Sequence, residues 1–256
     1  MKIAMLGAGA FGTALGGILA GKGYDIDYYD SKVERERLMD VLAKAQYVVL
    51  CVPSKVAPYL LPYLPKQKPL IVATKGILSD GAFSEFRDWM VLSGPGFADD
   101  IKGKKRTLLT VTDSRVVDLF CTDYMEFDFT SDRRGVLMCG ALKNVYAIKA
   151  GMLGLSRESA KWREFVRAVA AEMKLVLEAN GAEDNTVDLA CGIGDLKLTC
   201  GLPSRNYEYG SILRDNPAYE PTKTVEGLSA IKRIKRREIV VPEKATILKE
   251  IVNGIE

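Results

Sequence analysis

Short apolar runs alternate with longer, more polar stretches through the first half of the chain. This alternation is typical of a mostly parallel sheet whose strands are joined by crossover helices. Seven runs are predicted to be strands: residues 2–6, 25–29, 47–52, 70–73, 90–93, 107–111 and 125–129. Residues 31–45 are predicted to form one of the crossover helices, with Ser31 as its N-cap.

The second half has a different pattern, because apolar residues recur there at helical spacing. One of its helices is predicted to end at Asn180 and Gly181, a typical C-terminal cap. Residues 239–241 are the one candidate strand in this half. We therefore predict an α/β domain over residues 1–134, followed by an all-α domain over residues 135–256.

Composition narrows the classes of partner. The 36 Lys and Arg residues nearly balance the 33 Asp and Glu residues, and the net charge of +3 indicates neither nucleic acid nor a membrane surface. Residues 3–20 are uncharged and resemble a signal peptide or a membrane span, but glycines interrupt this run: Gly7, Gly9, Gly12, Gly16 and Gly17. A strand, a turn and a close-packed helix explain it better, so no membrane insertion is expected.

Cysteine and histidine usage limits the chemistry. The five cysteines are odd in number and form no C-x-x-C pair, so we interpret them as reduced packing residues in a reducing, cytoplasmic compartment. Histidine is absent, which removes the commonest metal ligand and the commonest general base. Acid–base chemistry must then use lysine, a carboxylate, tyrosine or cysteine, and no metal is expected.

A glycine-rich turn follows the first predicted strand and opens a helix, with the sequence Gly7-Ala8-Gly9-Ala10-Phe11-Gly12. In such a turn the first glycine permits the tight bend, the second lets the backbone approach a pyrophosphate, and the third lets helix and strand touch. The phosphates then lie on the free N–H groups at the helix N-terminus. These features predict a Rossmann domain that binds a dinucleotide.

An acidic residue, Asp30, ends the second predicted strand. Its carboxylate is expected to accept hydrogen bonds from the adenosine ribose and to repel a 2′-phosphate, which favours NAD over NADP. Lys32 lies close enough to weaken this preference, so NADP stays an alternative.

Two further segments end predicted strands at the carboxyl edge of the sheet, where open α/β sheets bind ligands. Val52 and Pro53 follow one strand, and Lys75 follows the next. Pro53 is expected to shape a loop near the cofactor. The ammonium of Lys75 either faces the nicotinamide or the substrate, or is simply solvated.

A predicted helix near the start of the second half places one lysine among small residues. Gly140, Lys143, Ala147 and Gly151 fall on one face, which admits close approach by backbone or ligand. The alternative is tight helix packing with Lys143 pointing outward. The adjacent Asn144 is a candidate donor to a substrate or cofactor amide.

Another cluster of polar residues lies further along the chain. Asp195 and Thr199 are four residues apart and share a face if the segment is helical. Arg205 and Asn206 combine a charged fork with an amide, which suits a phosphate group. Each of the four also has a plausible structural role.

Taken in order, these motifs resemble those of the NAD(P)-dependent glycerol-3-phosphate dehydrogenases. They span nearly the whole chain as GAGAFGTALG, CVPS, TKG, SGPGFA, GALKNVYAI, GIGDLKLTC, SRNYEYG and TVEG. The resemblance implies interconversion of sn-glycerol 3-phosphate and dihydroxyacetone phosphate by hydride transfer with NAD(P), supplying glycerol 3-phosphate for phospholipid synthesis. It also implies a small phosphorylated substrate and a possible homodimer.

The resemblance further implies a role for each matching residue. Lys143 corresponds to the catalytic acid/base, and Lys75 to a residue that orients and polarises the substrate carbonyl. Asp195 and Thr199 correspond to an active-site acid and hydroxyl. The contacts to phosphate, substrate and cofactor then come from Asn144, Arg205, Asn206 and Glu226.

The chain also departs from the family pattern. It is shorter than expected after the second strand and after Leu155, and Gly96 stands where the family has a serine. The alternatives are a lysine-dependent β-hydroxyacid or ketopantoate-type reductase and a non-catalytic NAD-binding sensor. The charge run 232–238 indicates either a partner or, more commonly, a solvated helix end.

Overall fold

The computed structural model describes residues 1–30, 35–77, 79–202 and 204–255. These residues form two compact units. The first comprises residues 1–75 and 80–133, and the second comprises residues 76–79 and 134–256. The short segment 76–79 therefore belongs with the C-terminal half, where Arg233 Nη1 donates a hydrogen bond to the carbonyl oxygen of Gly76 at 3.3 Å.

The first unit contains a seven-stranded sheet in the order β2-β1-β3-β4-β5-β6-β7. Neighbouring strands are parallel except for β5 and β6, which are antiparallel. The strands are β1 Lys2–Leu6, β2 Asp25–Tyr29, β3 Tyr47–Leu50, β4 Leu70–Val72, β5 Trp89–Ser93, β6 Thr107–Val111 and β7 Met125–Phe129. All seven predicted strands are confirmed, although β3 and β4 end slightly earlier and β5 begins one residue earlier than predicted.

Helices connect these strands. They are α1 Ala10–Gly21, α2 Arg35–Lys44, α3 Ala57–Leu60, α4 Ala98–Lys102 and α5 Ser114–Phe120. Helix α2 lies within the predicted crossover segment, whereas Ser31 and Lys32 lie outside the described residues. Helices α1, α4 and α5 bury one face of the sheet, with Leu15 and Leu19 of α1 and Phe120 of α5 fully or almost fully enclosed. This packing holds the N-terminus of α1 at the edge where β1 ends.

The second unit is helical. Its helices are α6 Arg133–Met152, α7 Ala160–Ala179, α8 Asp195–Thr199, α9 Arg205–Asp215, α10 Glu226–Lys235 and α11 Thr246–Gly254. Helix α6 is central and is buried over most of its length. A Cβ atom added at Gly151 would lie 2.0 Å from the carbonyl oxygen of Tyr207, and one at Gly210 would lie 1.9 Å from that of Ile148. The backbones of α6 and α9 thus touch, which only glycine permits at these crossings.

The predicted strand at 239–241 is wrong. The backbone of Val240 bonds to a side chain instead: its N–H donates to Asn180 Oδ1 and its carbonyl accepts from Asn180 Nδ2, each at 2.8 Å. Because one asparagine satisfies both groups, the segment needs no neighbouring strand. Asn180 also follows the last residue of α7, and Gly181 adopts a left-handed φ of 69°, so the predicted helix end is confirmed.

All five cysteines are free thiols. Cys139, Cys191 and Cys200 are buried, and Cys51 is half-buried. Cys121 is exposed, so its interpretation as a packing residue is wrong. Across the described residues, no helix combines the length and the apolar composition that a membrane span requires.

Candidate active site

The glycine-rich turn closes tightly on itself and on the neighbouring strand. Gly7 has a φ of 115°, and a Cβ atom there would lie 2.5 Å from the carbonyl oxygen of Cys51. A Cβ atom at Gly12 would lie 2.0 Å from the carbonyl oxygen of Gly7. Both positions therefore require glycine, one for its backbone angle and both for the lack of space.

Gly9 differs from both, because a Cβ atom there would meet nothing within 4 Å. It is the N-cap of α1, and no side chain caps this helix end. Ala8, Gly9 and Ala10 are all exposed. The first N–H groups of a helix have no partner within the helix, so this end presents donors and a partial positive charge beside open space. The space that a side chain at Gly9 would fill fits a pyrophosphate group.

Asp30 lies at the same edge of the sheet as this turn. It directly follows β2, and the N–H of Gly7 donates to the carbonyl oxygen of Tyr29 at 2.8 Å. Asp30 is half-buried. Nearby on the chain, Arg37 forms an ion pair with Asp27 of β2, a contact that the sequence pattern did not indicate.

Lys75 is held by its own unit. Its Nζ donates to the carbonyl oxygen of Gly94 at 2.8 Å and lies 5.3 Å from the ring centroid of Phe11. The side chain is thus fixed beside the first turn of α1, which differs from a lysine that is simply solvated. Burial raises the pKa of the neighbouring Cys51 thiol to about 12, although the charge of Lys75 opposes this. At neutral pH Cys51 is therefore a thiol and not a nucleophilic thiolate.

The two other predicted residues of this edge differ in exposure. Val52 is buried and Pro53 is exposed. Both follow β3, so they lie at the carboxyl end of a strand next to β1.

The second unit contains a buried ion pair. Lys143 Nζ of α6 contacts Asp195 Oδ2 of α8, and the two residues are only 3% and 1% exposed. The alternative in which Lys143 points outward is therefore wrong. Thr199, one helical turn after Asp195, donates through Oγ1 to the Asp195 carbonyl oxygen at 2.6 Å, and Asp195 Oδ1 lies 3.5 Å away.

The segment that carries Asp195 has an unusual conformation. A π-helical turn, Ala190–Gly194, leads directly into α8. It packs so closely that a Cβ atom at Gly192 would lie 2.2 Å from the carbonyl oxygen of Val187. Turns of this type are frequent at functional sites, and here the turn sets the position from which Asp195 reaches Lys143. Sequence analysis missed it, and the only signal was the close spacing of Gly192 and Gly194.

Cys200 lies next to this pair. Burial raises the pKa of its thiol above the usual range, although the charge of Lys143 opposes the shift. Its carbonyl oxygen accepts a hydrogen bond from Trp162 Nε1 at 2.6 Å. Cys200 is therefore a neutral neighbour of the ion pair.

Two predicted substrate contacts, Asn144 and Asn206, bond to each other. Asn206 Nδ2 donates to Asn144 Oδ1 at 2.8 Å, and Asn206 Oδ1 accepts from the N–H of Gly227 at 2.9 Å. Asn144 Nδ2 in turn donates to the carbonyl oxygen of Gly140 at 2.9 Å. This buried series of hydrogen bonds joins α6, α9 and α10 and fixes the side chain of Asn144, which directly follows Lys143.

Arg205 and Glu226 each begin a helix. Arg205 is exposed at the start of α9, directly after the N-cap Ser204. It borders a cavity of about 170 Å³ together with Lys223, Tyr209 and others. Glu226 is the half-buried first residue of α10.

Comparison with known proteins identifies the family. Residues 132–253 match the family described as NAD-dependent glycerol-3-phosphate dehydrogenase C-terminus. The chain is 34% identical over 259 aligned residues to the glycerol-3-phosphate dehydrogenase [NAD(P)+] of Citrifermentans bemidjiense, covering 82% of this chain and 77% of that protein. The chain belongs to the NAD(P)-dependent glycerol-3-phosphate dehydrogenase family.

The fold agrees with this assignment. The crystal structure of glycerol-3-phosphate dehydrogenase from Coxiella burnetii superposes with a TM-score of 0.81 at 22% identity, covering 98% of this chain and 94% of that one. A ketopantoate reductase from Staphylococcus aureus reaches a TM-score of 0.54 at 13% identity, with 99% and 98% coverage. The reductase alternative is therefore not favoured over this dehydrogenase family.

Proposed function

We propose that this chain interconverts sn-glycerol 3-phosphate and dihydroxyacetone phosphate with NAD(P), and so supplies glycerol 3-phosphate for phospholipid synthesis. The observation that carries the proposal is the buried pair of Lys143 and Asp195. A lysine and a carboxylate enclosed together supply a proton donor in a protein that has no histidine. The reaction itself is inferred from the related proteins, which are named glycerol-3-phosphate dehydrogenases.

The residues proposed to transfer the proton belong to the second unit. When the dinucleotide is bound, its nicotinamide supplies or accepts the hydride. Lys143 donates a proton from Nζ to the carbonyl oxygen of dihydroxyacetone phosphate as negative charge develops there, and takes the proton back in the reverse reaction. Asp195 pairs with the ammonium and holds it in place, while Thr199 fixes the turn that carries Asp195.

The first unit holds the dinucleotide. The backbone at Gly7, Gly9, Ala10, Phe11 and Gly12 supports the pyrophosphate, as the open space above Gly9 suggests. Asp30 accepts hydrogen bonds from the ribose, and the capture of Arg37 by Asp27 removes one cation that would favour a 2′-phosphate. We accordingly expect NAD to be preferred to NADP.

The remaining predicted residues have assigned roles in this scheme. Lys75 orients the substrate carbonyl, and Arg205 binds the substrate phosphate, with contacts to the cofactor as well. Val52, Pro53 and Glu226 are further cofactor contacts. Asn144 and Asn206 form substrate contacts from within their hydrogen-bonded chain, which keeps them in fixed orientations.

In this proposal the predicted domain of residues 1–134 binds the dinucleotide, and the predicted domain of residues 135–256 binds the substrate and carries out catalysis. The five free thiols suit a reducing compartment, so a cytoplasmic location is proposed. The homodimer implied by the resemblance stays a prediction, which sedimentation would test.

The proposal is tested by steady-state oxidation of NADH with a panel of carbonyl substrates. We expect turnover with dihydroxyacetone phosphate, little with dihydroxyacetone or ketopantoate, and slower turnover with NADPH. Preferential turnover of ketopantoate would assign the chain to the reductases. Tight NADH binding without turnover of any substrate would instead support a non-catalytic sensor.

A further inference from the structure

A cavity in the second unit is lined by none of the residues assigned above. It has a volume of about 520 Å³ and lies where the end of α10 and the following segment meet α11. Aliphatic side chains contribute much of its lining: Ile234, Ile239, Val240, Val241 and Val252. This volume falls in the range of pockets that hold small organic ligands.

Three cations border the same cavity, namely Lys235, Arg237 and Lys249. Lys235 Nζ donates to the carbonyl oxygen of Ile255 at 2.5 Å, and Lys249 Nζ donates to that of Glu243 at 3.3 Å. Arg237 donates no side-chain hydrogen bond to the described residues. None of the three forms an ion pair with a carboxylate of the described residues, so three cations without such a partner in this part of the chain border the cavity.

The surrounding sequence strengthens this charge. Lys232 and Arg236 are exposed and likewise form no ion pair within the part of the chain that the structure describes. Arg233 is the exception in the run 232–237, because it pairs with Glu238 at 2.6 Å. A solvated helix end would account for Lys232 and Arg236, but not for the apolar cavity that Lys235, Arg237 and Lys249 border.

The apolar wall stays open to solvent at Val240, which is 59% exposed. Its backbone is held by Asn180, and Arg237 begins the segment with a left-handed φ of 60°. The shape of this wall is therefore set by specific contacts of the fold.

We propose that this cavity binds one single-chain anionic amphiphile, with its hydrocarbon chain against the aliphatic wall and its carboxylate or phosphate on Lys235, Arg237 and Lys249. Burial of the hydrocarbon chain supplies hydrophobic free energy, and the three cations at the border select an anionic head. The cavity volume of about 520 Å³ is of the size that holds one small molecule. The site uses none of the residues proposed for the dehydrogenase reaction, so it stands independently of that function.

The test is isothermal titration calorimetry of the full chain with three probes, with dodecyl phosphate kept below its critical micelle concentration and dodecanol below its solubility limit. Dodecyl phosphate has both the chain and the head, dodecanol has the chain alone, and butyl phosphate has the head with a short chain. We expect saturable 1:1 binding of dodecyl phosphate. Dodecanol should bind about tenfold more weakly, because it loses the charge-assisted contacts, and butyl phosphate should bind more weakly still. Dodecanoate, titrated in parallel, distinguishes a carboxylate head from a phosphate head.

Two variants with matched controls assign the binding to this cavity. Val240→Asp places a carboxylate in the exposed wall, and Arg237→Asn removes a cation while suiting the left-handed backbone. Each should weaken dodecyl phosphate binding about tenfold. Leu153→Asp and Lys104→Asn are the controls, because Leu153 is also an exposed apolar residue and Lys104 also an exposed cation with positive φ. Neither control should change the affinity.

Several results would overturn the proposal. Equal affinities for dodecanol and dodecyl phosphate would remove the anion selectivity, and equal affinities for butyl and dodecyl phosphate would remove the role of the apolar wall. Unchanged affinity in both cavity variants would place the ligand elsewhere. Binding to phosphatidylglycerol vesicles without saturable binding of dodecyl phosphate would assign the surface to membranes.

Discussion

The charges of Lys143 and Asp195 depend on each other because both side chains are enclosed by the protein. Removing one partner leaves the other as a buried, unpaired charge, which costs about 3–5 kcal/mol. Effects on activity and on folding are therefore coupled in any single substitution. A variant that removes both charges separates them.

Lys143→Met is expected to lower kcat at least about 100-fold, because no general acid remains for the carbonyl oxygen. It should also lower the free energy of unfolding. The double variant with Asp195→Asn is expected to recover much of the stability but none of the turnover. NADH oxidation measures kcat, and urea unfolding measures the free energy of unfolding. Near-normal kcat in the double variant would exclude Lys143 as the acid.

Arg205 lies in the first turn of α9 and is exposed, so its substitution should leave the fold intact. Arg205→Met is expected to raise KM for dihydroxyacetone phosphate about tenfold or more through loss of charge-assisted hydrogen bonds. Arg214→Met is the control, since Arg214 is exposed in the last turn of the same helix and bonds to Asp215. Equal KM values in the two variants would remove Arg205 from the phosphate site.

At the level of elements, the N-cap Gly9 and the helical Gly17 of α1 are exposed glycines with opposite expected behaviour. A Cβ atom at Gly9 or Gly17 would meet nothing within 4 Å, yet only Gly9 lies at the helix N-terminus. Gly9→Ala is expected to weaken NADH binding about tenfold or more, because the methyl group occupies the pyrophosphate position. Gly17→Ala should leave binding unchanged and stabilise the helix by about 0.5–1 kcal/mol.

Fluorescence titration with NADH measures both glycine variants. Equal dissociation constants for Gly9→Ala and the wild-type protein would show that the pyrophosphate does not approach this backbone. Thermal unfolding of the same samples separates weaker binding from partial unfolding.

Helix α11 is anchored by a carboxylate from another helix. Glu172 of α7 is buried and accepts from the N–H groups of Ile247 and Leu248, at 2.7 and 3.0 Å, and from the hydroxyl of Tyr146 at 3.2 Å. Burial, together with Glu172, raises the pKa of Tyr146 well above its usual value, so the hydroxyl keeps the proton that it donates. This carboxylate supplies acceptors that the start of α11 otherwise lacks.

Glu172→Gln is expected to lower the free energy of unfolding by about 1–3 kcal/mol, because an amide NH₂ then faces donors. Glu164→Gln is the control, since Glu164 is exposed on the same helix. Urea unfolding measures both. Equal midpoints for the two variants would show that the carboxylate does not anchor α11.

At the scale of the whole molecule, the sheet and the glycine-rich turn could be predicted because their signals are local. Each strand is a short apolar run, and the turn carries its own glycines in sequence. The burial of Lys143 could not be predicted in this way, because its partner Asp195 is distant in sequence and is positioned by a π-helical turn. The error at Val240 has the same origin, since Asn180 supplies its partners from another helix.

The same limit applies to the segment 76–79, which belongs to the second unit although its sequence lies within the first. The hydrogen bond between Asn144 and Asn206 could not be predicted from local sequence patterns either. The sequence suggested two separate ligand contacts, whereas the structure shows the two side chains bonded to each other. The sequence was thus enough to select residues capable of binding or catalysis, whereas their hydrogen-bond and ion-pair partners could be identified only from the tertiary fold.

The central claim is that this chain transfers a hydride to dihydroxyacetone phosphate. Its most direct test uses NADH deuterated at both C4 positions, with mass spectrometry of the product. The account predicts sn-glycerol 3-phosphate carrying one deuterium at C2, formed by the wild-type protein and not by the Lys143→Met/Asp195→Asn variant. Product without deuterium, or no glycerol 3-phosphate despite NADH binding, would contradict it.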